Sequence, residues 1–353
     1  MAKNIITNPH FIESGLLDYF NENPISFIDI GARGGAHDIV NPIAKITSVL
    51  GFEPNQSECE RLMQKPEVVK PWHTFSLKPI ALSSIEGKND FYEVVEPNNS
   101  SLYEPNSILT NRYSMQKWKV KEKSTISVTT LDHLYEKKYK DNKNFGEFIK
   151  IDTQGSEYDI LKGAERLVKK NTLGIITEVS FCQLYSGQKL FSDVEILLRG
   201  YGFSFYGFTA QHHRSCKLLD KRKYPTRERL IYGDAIFLKD PFDATFPTAT
   251  QRQARVLFLI LLLLGLYDFG LELVQKQKLL ECEIANENIV ISLVNSLSFV
   301  DPKDTFEKIK KFYDDASKDK KMANALTVKF ANDTVSLGNF DDIFEISPLP
   351  KAI

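Results

Sequence analysis

The sequence predicts an α/β fold in which helices flank a doubly wound sheet, with a helical appendage at the C-terminal end. Short apolar runs typical of buried strands alternate with helical patterns over residues 25–240. The first of these runs ends in a glycine-rich turn, and after Asp240-Pro241 the composition changes to long helical patterns. We therefore expect an N-terminal helical segment (1–24), a ligand-binding sheet domain (25–240) and a mainly helical region (241–353).

The glycine-rich turn reads G-A-R-G-G and follows an apolar strand at residues 25–30. Residues 36–45 can form the helix that comes next, so the pattern is strand, tight turn and helix start. Gly31 can adopt backbone conformations closed to other residues, and it lets a ligand approach the chain closely. The alternative is a glycine-rich strand-to-helix turn that binds no ligand.

An acidic residue ends the second predicted strand, at residues 48–52. Glu53 is followed by Pro54 and Asn55, and it comes roughly twenty residues after the first glycine of the turn. At that spacing a carboxylate reaches the ribose hydroxyls of a bound nucleoside. The glycine turn and Glu53 together predict a site for an adenosine-containing ligand.

The glycine spacing and Asp29 narrow the choice of ligand. Dinucleotide sites space their glycines as G-x-G-x-x-G so that a helix N-terminus holds the pyrophosphate, and this turn lacks that spacing. Asp29, inside the strand, would repel a phosphate. It suits a ligand with positive charge, such as the amino group and sulfonium of S-adenosylmethionine.

Further polar residues fall at the carboxyl ends of later strands, the edge where open α/β sheets bind ligands. Ser83 follows Ala81-Leu82, Asp152 ends the apolar run 148–151, and Glu178 lies in the run 174–181. We expect residues 203–208 and 232–239 to pair as a hairpin. The polar stretch 209–214 between them, with His212 and His213, is predicted to be a loop able to close over the site.

Whole-chain properties exclude some classes of protein. The chain has 353 residues, 42% of them hydrophobic, and a formal net charge of -1, which argues against a nucleic-acid binder. Its four cysteines are far apart and include no C-x-x-C pair, so neither a zinc site nor a disulfide framework is indicated. The first residues lack the apolar core of a signal peptide, and we expect a cytoplasmic location.

One long helix is predicted over residues 251–280, and it contains the apolar run 256–266. That run falls short of the ~20 residues that a membrane span needs. It is also too apolar to be left exposed. The cover is either the helices further along the chain or the same helix of a second subunit, and we expect a homodimer through these C-terminal helices.

Six segments together resemble the FkbM family of S-adenosylmethionine-dependent methyltransferases. The resemblance covers about residues 25–181, and more weakly as far as Lys239. Two positions depart from the usual family pattern: Arg33 stands where Asn is usual, and Thr153-Gln154 where Val-Glu is frequent. The last of the six segments is the most specific match. The segments are F-I-D-I-G-A (27–32), G-F-E-P-N (51–55), A-L-S (81–83), S-S-L (100–102), V-T-T-L-D (128–132) and I-K-I-D-T-Q-G-S-E-Y-D-I-L-K-G-A (149–164).

The resemblance implies a Rossmann-like sheet of the class I methyltransferase type, S-adenosylmethionine as cofactor, and O-methylation of a sugar, glycan precursor or natural product, often in polysaccharide or antibiotic pathways. Asp29 would act on the amino-acid end of the cofactor, Glu53 on the ribose hydroxyls, and Leu82 and Ser83 beside the adenine. The full set of cofactor-binding candidates is Asp29, Gly31, Ala32, Arg33, Gly35, Glu53, Pro54, Asn55, Leu82, Ser83 and Asp152.

The catalytic candidates are Asp152, Glu178 and His212. Asp152 would serve as a base, as a group that positions the acceptor or as a metal ligand, or it would only cap the helix that starts near Ser156. Asp132, Asp152 and Glu178 together could hold a divalent ion, although their spacing does not require one. Two rival functions stay open: a nicotinamide-dependent oxidoreductase on a similar sheet, and a nucleoside-binding protein without catalytic activity.

Overall fold

The computed structural model describes residues 4–220, 223–224, 226–243, 250–277 and 287–334. By its internal contacts the chain divides into two compact units, one formed by Met1–Arg214 and Arg229–Ser298, the other by Ser215–Glu228 and Phe299–Ile353. The first unit contains the sheets and the candidate site.

Ten strands are described. Seven of them form one sheet in the order β3-β2-β1-β7-β8-β10-β9, and three form a small sheet in the order β4-β6-β5. The strands are β1 (Ile25–Ile30), β2 (Thr47–Phe52), β3 (Thr74–Lys78), β4 (Ala81–Leu82), β5 (Gly87–Val94), β6 (Val120–Thr129), β7 (Phe148–Ile151), β8 (Gly174–Ser180), β9 (Ser204–Arg214) and β10 (Arg229–Leu238).

The helices of the first unit lie on both faces of the large sheet. They are α1 (Pro9–Glu13), α2 (Leu16–Glu22), α3 (Gln56–Met63), α4 (Pro66–Val69), α5 (Ser107–Arg112), α6 (Leu131–Leu134), α7 (Glu157–Lys162), α8 (Glu165–Lys170), α9 (Phe191–Gly200), α10 (Gln251–Leu264), α11 (Tyr267–Gln277) and α12 (Glu287–Ser298). Short 3-10 helices span Ile5–Thr7, Asp38–Ile46, Pro97–Asn99 and Gln116–Trp118, and a π-helical turn spans Tyr135–Tyr139.

The predicted α/β sheet is confirmed. Strands β3, β2, β1, β7 and β8 run parallel, and β10 joins antiparallel between β8 and β9, so the expected hairpin also forms. Alternate residues of each strand enter different cores. Phe27 and Phe148 lie in one core, while Ile28 and Ile149 lie in the other. Burial on both faces explains why these strands read as continuous apolar runs.

The C-terminal apolar run is covered by the chain itself. Residues 256–263 of α10 are each at most 7% exposed, and they share a core with β1, β7 and helices α1, α2, α11 and α12. A second subunit is therefore not needed to bury α10, and the reason for expecting a homodimer through this helix does not hold. The compact unit continues through α12, beyond the boundary that the sequence predicts at residue 241. None of the described helices is long and apolar enough to cross a membrane.

A buried ion pair fixes the start of α10 to the sheet. Arg252 donates from Nε and Nη2 to the two carboxylate oxygens of Glu147, each at 2.7 Å, just before β7. The same guanidinium donates to the backbone oxygens of Asn23 (2.6 Å) and Pro24 (3.0 Å), just before β1. Bidentate pairing of this kind orients both partners, so α10 is an integral part of the sheet unit.

Several predicted helices are shorter or differ in type. Residues 156–170 form two helices, α7 and α8, and Gly163 lies at the break between them. A Cβ at Gly163 would lie 2.2 Å from the Ser83 carbonyl oxygen, so the chain passes close to Ser83 there. The helix predicted over 251–280 stops at Leu264, where Gly265 adopts a left-handed φ of 72° and α11 begins two residues later. Residues 278–280 lie outside the described residues. The helix predicted at 36–45 is the 3-10 helix Asp38–Ile46.

The second unit contains α13 (Pro302–Lys318), a 3-10 turn (Lys320–Met322) and α14 (Ala323–Thr334). Asp301 caps α13 by accepting a hydrogen bond from the Lys303 amide. The rings of Phe312 and Phe330 stack with their centroids 4.7 Å apart, which joins the two helices.

Candidate functional site

A cavity of about 380 Å³ opens at the carboxyl edge of the large sheet. In an open α/β sheet this edge is where ligands bind. Residues at the ends of β2, β1, β7 and β8, residues of β10 and the segment 97–102 line it. The lining residues are Ile30, Gly31, Arg33, Phe52, Glu53, Pro54, Ile80, Ala81, Leu82, Phe91, Pro97, Asn98, Asn99, Ser100, Ser101, Leu102, Asp152, Thr153, Gln154, Ser156, Glu178, His212, Tyr232 and Asp234.

Glu53 lies at the β2 end of the cavity. Its Oε1 accepts the Asn55 amide at 2.9 Å and lies 4.0 Å from Nη1 of Arg33. Burial raises its pKa, while the Asn55 amide and Arg33 act in the opposite direction. Among the described residues no hydrogen bond reaches Oε2. A carboxylate oxygen in this position can accept hydrogen bonds from the hydroxyls of a bound ribose.

Gly31 lines the cavity and has a left-handed φ of 91°. A side chain here would place its Cβ 1.9 Å from the carbonyl oxygen of Asp152. The adjacent Asp152 amide donates to the Ile30 carbonyl at 2.9 Å, which continues the β1–β7 pairing beyond the strands. The glycine is thus required by the close approach of two backbone segments, in addition to the ligand approach proposed from the sequence.

The remaining cofactor candidates divide into two groups. Arg33, Pro54, Leu82 and Asp152 line the cavity. The others do not line it. Ala32 packs with Cys59, Leu62 and Leu77, and the side chain of Asn55 caps α3 by accepting the Glu58 amide. A Cβ at Gly35 would lie 3.2 Å from Val68, Ser83 is buried and its amide donates to the Thr129 carbonyl, and Asp29 lies deeper in the sheet.

Asp29 is held by the protein's own groups. Its Oδ2 accepts the His37 amide at 2.7 Å, and the residue is 3% exposed. Burial raises its pKa to about 6, against the lowering effects of Lys150 and the His37 amide. In the parallel register Asp29 lies beside Lys150, so both side chains emerge on the same face of the sheet.

Lys150 is a buried cation paired with Asp152. It is 3% exposed, and its Nζ lies 2.9 Å from Oδ2 of Asp152. Burial disfavours its charged form, but Asp152 and Asp234 outweigh burial and raise the pKa of Lys150. Burial also opposes ionisation of Asp152, yet Lys150 and a hydrogen bond from Gln154 hold the pKa of Asp152 below its usual range. Asp152 is therefore ionised.

Glu178 and Asp234 lie side by side across the antiparallel pairing of β8 and β10. Burial is the main reason that both pKa values are raised, and in each case the negative charge of Asp152 adds to it. The pKa of Glu178 lies well above its ordinary value. A carboxylate with a strongly raised pKa in a cavity is a typical candidate for proton transfer.

His212 lies on a strand rather than in a loop. Strand β9 continues through residues 209–214, so the predicted closing loop is wrong: pairing with β10 satisfies the backbone of this polar stretch. The imidazole lines the cavity and stacks on Tyr232, with ring centroids 4.3 Å apart. Burial lowers the pKa of His212, which favours the neutral ring and leaves a nitrogen free to accept a proton.

Two alternatives from the sequence do not hold. Asp132 accepts the backbone amides of Arg166 and Leu167, each at 2.9 Å, and so caps α8 instead of joining a metal site. Among the described residues no group of three or more His, Cys, Asp or Glu side chains is arranged to hold a metal ion. Asp152 does not cap α7 either, because that helix begins after Ser156 without a side-chain cap and the Asp152 carboxylate accepts from Lys150 and Gln154 instead.

Sequence reasoning missed Lys150, Gln154, Tyr232 and Asp234. Lys150 gave a signal, because it is a charged residue inside the apolar run 148–151. Tyr232 and Asp234 are two residues apart in a strand, so they share a face, but only the pairing with β8 brings that face to the cavity. Gln154 gave no signal beyond its departure from the family pattern.

The fold and cavity define a doubly wound α/β protein with a ligand site at the carboxyl edge of its sheet. The family model "Methyltransferase FkbM domain" matches residues 29–205, half of the 353-residue chain. The chain belongs to the FkbM methyltransferase family, as predicted, and the methyl donor of that family is S-adenosylmethionine.

Solved structures with similarity to the chain include two methyltransferases. Methyltransferase FkbM from Methylobacillus flagellatus KT shares 13% identity at a TM-score of 0.32, over 61% of this chain and 44% of that chain. Magnesium protoporphyrin IX methyltransferase from Synechocystis PCC 6803, with bound SAM, shares 11% identity at a TM-score of 0.32, over 65% of this chain and 79% of that chain. The chain thus spans less than half the length of the Methylobacillus protein. No curated protein matches the sequence.

Proposed function

We propose that the chain is an S-adenosylmethionine-dependent O-methyltransferase that acts on a hydroxyl group of a sugar, a glycan precursor or a natural product. One observation carries the proposal: Glu53, Asp152 and Glu178 line a single cavity at the carboxyl edge of the sheet. Glu53 and Asp152 follow β2 and β7, and Glu178 lies near the end of β8, which would give a nucleoside-binding carboxylate at one end and proton-accepting groups towards the other.

The residues present fit the cofactor. Glu53 would hold the ribose hydroxyls, Leu82 would lie against the adenine, and Gly31 and Asp152 would lie near the methionine part. S-adenosylmethionine supplies a methyl group that its sulfonium has already activated. The carboxylates of Asp152, Glu178 and Asp234 in the lining suit a positively charged ligand and disfavour the phosphates of a dinucleotide.

Transfer to a hydroxyl also requires a group that takes its proton. Asp152, whose pKa is lowered, is a weak base and is better suited to electrostatic stabilisation. The strongly raised pKa of Glu178 makes its carboxylate a stronger base than an ordinary one, and the lowered pKa of His212 favours its neutral ring, which can accept a proton. We assign proton acceptance to Glu178, with His212 as the second candidate.

The segment 97–102 of the lining supports the proposal of a hydroxyl-rich acceptor. Asn98, Asn99, Ser100 and Ser101 line the cavity there. Amide and hydroxyl groups both donate and accept hydrogen bonds, as sugar hydroxyls require. The acceptor class and the cytoplasmic location stay predictions from the sequence.

Calorimetric titrations of the purified chain with S-adenosylhomocysteine, NAD and ATP test the cofactor. The proposal expects binding of S-adenosylhomocysteine alone, whereas preferential binding of NAD would favour the oxidoreductase. Methyl transfer is then measured as release of S-adenosylhomocysteine from S-adenosylmethionine with a panel of sugars, nucleotide sugars and polyketide alcohols. Product mass spectrometry locates the new methyl group. Cofactor binding without transfer to any acceptor would favour the non-catalytic alternative.

A further inference from the structure

Gln154 has an unusual backbone conformation at the cavity. Its φ is 61°, a left-handed value that residues other than glycine rarely adopt. The hydroxyl of Ser101 donates to its carbonyl oxygen at 2.6 Å. Gly155, with a φ of 110°, follows it. The local structure thus holds this residue in place at the end of β7.

The side-chain amide of Gln154 joins two carboxyl groups. Its Nε2 donates to Oδ1 of Asp152 at 2.8 Å and lies 3.4 Å from Oε2 of Glu178. Its Oε1 lies 3.0 Å from the hydroxyl of Tyr185. That hydroxyl also lies 2.9 Å from the Asn99 carbonyl oxygen, so its single hydrogen serves one of these two acceptors.

Tyr185 is itself fixed. Its residue is fully buried, and its hydroxyl accepts a hydrogen bond from Nε1 of Trp118 at 3.0 Å. A hydrogen bond from Tyr185 to Oε1 leaves Nε2 of Gln154 directed at the two carboxyl groups. With its hydrogen directed at Oε1 rather than at the Asn99 carbonyl oxygen, Tyr185 would determine which end of the amide faces Asp152 and Glu178.

We propose that Gln154 is a positioning residue: its side-chain amide, fixed by Tyr185, joins Asp152 and Glu178 and keeps their carboxyl groups in unequal roles at the cavity. The inference rests on the proposed function, since it concerns the same site. Asp152 receives the short hydrogen bond and the Lys150 ion pair, so it stays ionised. Glu178 receives only the long contact and remains the group that can take up a proton.

The identity of residue 154 sets the charge of the pair. Glutamate, which the family often has here, would add a third negative charge and remove the donor to Asp152. Repulsion between three neighbouring carboxylates would favour protonation of one of them. The titratable groups that face the pair from the surrounding elements are Asp29, His37, Lys150, Glu157, Tyr185, His212, Tyr232 and Asp234.

The test compares the pH dependence of ligand affinity in five full-length proteins: wild type, Gln154→Glu, Gln154→Ala, Tyr185→Phe and Gln183→Glu. Gln183 is exposed and outside the cavity lining, so it controls for an added carboxylate. Dissociation constants for S-adenosylmethionine and S-adenosylhomocysteine are measured by calorimetry from about pH 5 to about pH 9. Thermal melting of each protein checks that it is folded.

Affinity for the cationic S-adenosylmethionine should fall at low pH as the carboxyl pair takes up protons. Both Gln154 variants should raise the midpoint of that fall by about one pH unit. Tyr185→Phe should raise it by less, and Gln183→Glu should leave it unchanged. Affinity for S-adenosylhomocysteine, which lacks the sulfonium charge, should change less with pH.

Equal midpoints in wild type, Gln154→Ala and Tyr185→Phe, with only the melting temperature lowered, would show a purely structural role and overturn the inference. Those two variants decide the matter even where Gln154→Glu does not fold. A wild-type chain that binds neither ligand would instead contradict the proposed function, so the two failures are distinguishable.

Discussion

Replacing Asp29 by Asn should change how stability depends on pH. Asp29 is buried at the end of β1 and accepts the His37 amide, a bond that Asn can also accept through its side-chain oxygen. Burial raises the pKa of Asp29 from its ordinary value of 3.8 to about 6. The Asp29 side chain therefore changes its charge with pH in the folded protein, whereas Asn at this position stays neutral at every pH.

The magnitude follows from that shift. A rise from 3.8 to about 6 corresponds to about 3 kcal/mol. The folded state keeps the proton of Asp29 up to about pH 6, whereas the unfolded chain has already released it, so folding stability falls as pH rises. Relative to Asp29→Asn, the wild type should lose about 3 kcal/mol of unfolding free energy between about pH 4 and about pH 7.

Urea denaturation of both proteins at several pH values measures this difference. Asp141→Asn, at an exposed position, is the control for removing one carboxylate from the chain. A difference between wild type and Asp29→Asn that stays constant across the range would refute the argument. Asp29→Asn should therefore stabilise the protein near neutral pH. Because Asp29 is also a cofactor candidate, the same replacement should weaken ligand binding.

Three further substitutions test other parts of the structure. Gly31→Ala places a methyl group 1.9 Å from the Asp152 carbonyl oxygen and should lower the unfolding free energy by more than about 4 kcal/mol. Gly34→Ala is the control and should cost less, because Gly34 also has a left-handed φ but no atom would lie within 4 Å of the added methyl group. Equal melting temperatures of the two variants would exclude the clash. Arg252→Met leaves Glu147 buried without its ion pair and should cost about 3–5 kcal/mol in urea denaturation, part of which a second change, Glu147→Gln, should restore. Glu178→Gln should lower the rate of methyl transfer by about 10²–10⁴ with nearly normal affinity for S-adenosylhomocysteine, and full activity would remove Glu178 as the base.

Much of the sheet could be predicted from the sequence because its strands are buried on both faces. Such strands leave continuous apolar runs, and polar residues at their ends mark the edge that binds ligands. Glu53 and Asp152 were found in this way. The cavity confirms that they share one edge, while their roles toward the cofactor stay predictions.

What the sequence could not show depends on contacts between distant segments. The close approach of Gly163 to Ser83, at the break between α7 and α8, is one such contact. His212 lies at the cavity because β9 pairs with β10, which a polar composition did not indicate. The apolar pattern of α10 showed that it must be covered, but not that the sheet of the same chain covers it.

The central claim is that Glu53 holds the ribose of S-adenosylmethionine in this cavity. The most direct test is calorimetric titration of S-adenosylhomocysteine into wild type, Glu53→Ala and the exposed control Glu60→Ala, with melting curves to verify folding. Loss of charge-assisted hydrogen bonds should cost Glu53→Ala about 2–3 kcal/mol, a fall in affinity of roughly one to two decades, and leave Glu60→Ala unchanged. Equal affinity in a folded Glu53→Ala variant would contradict the account.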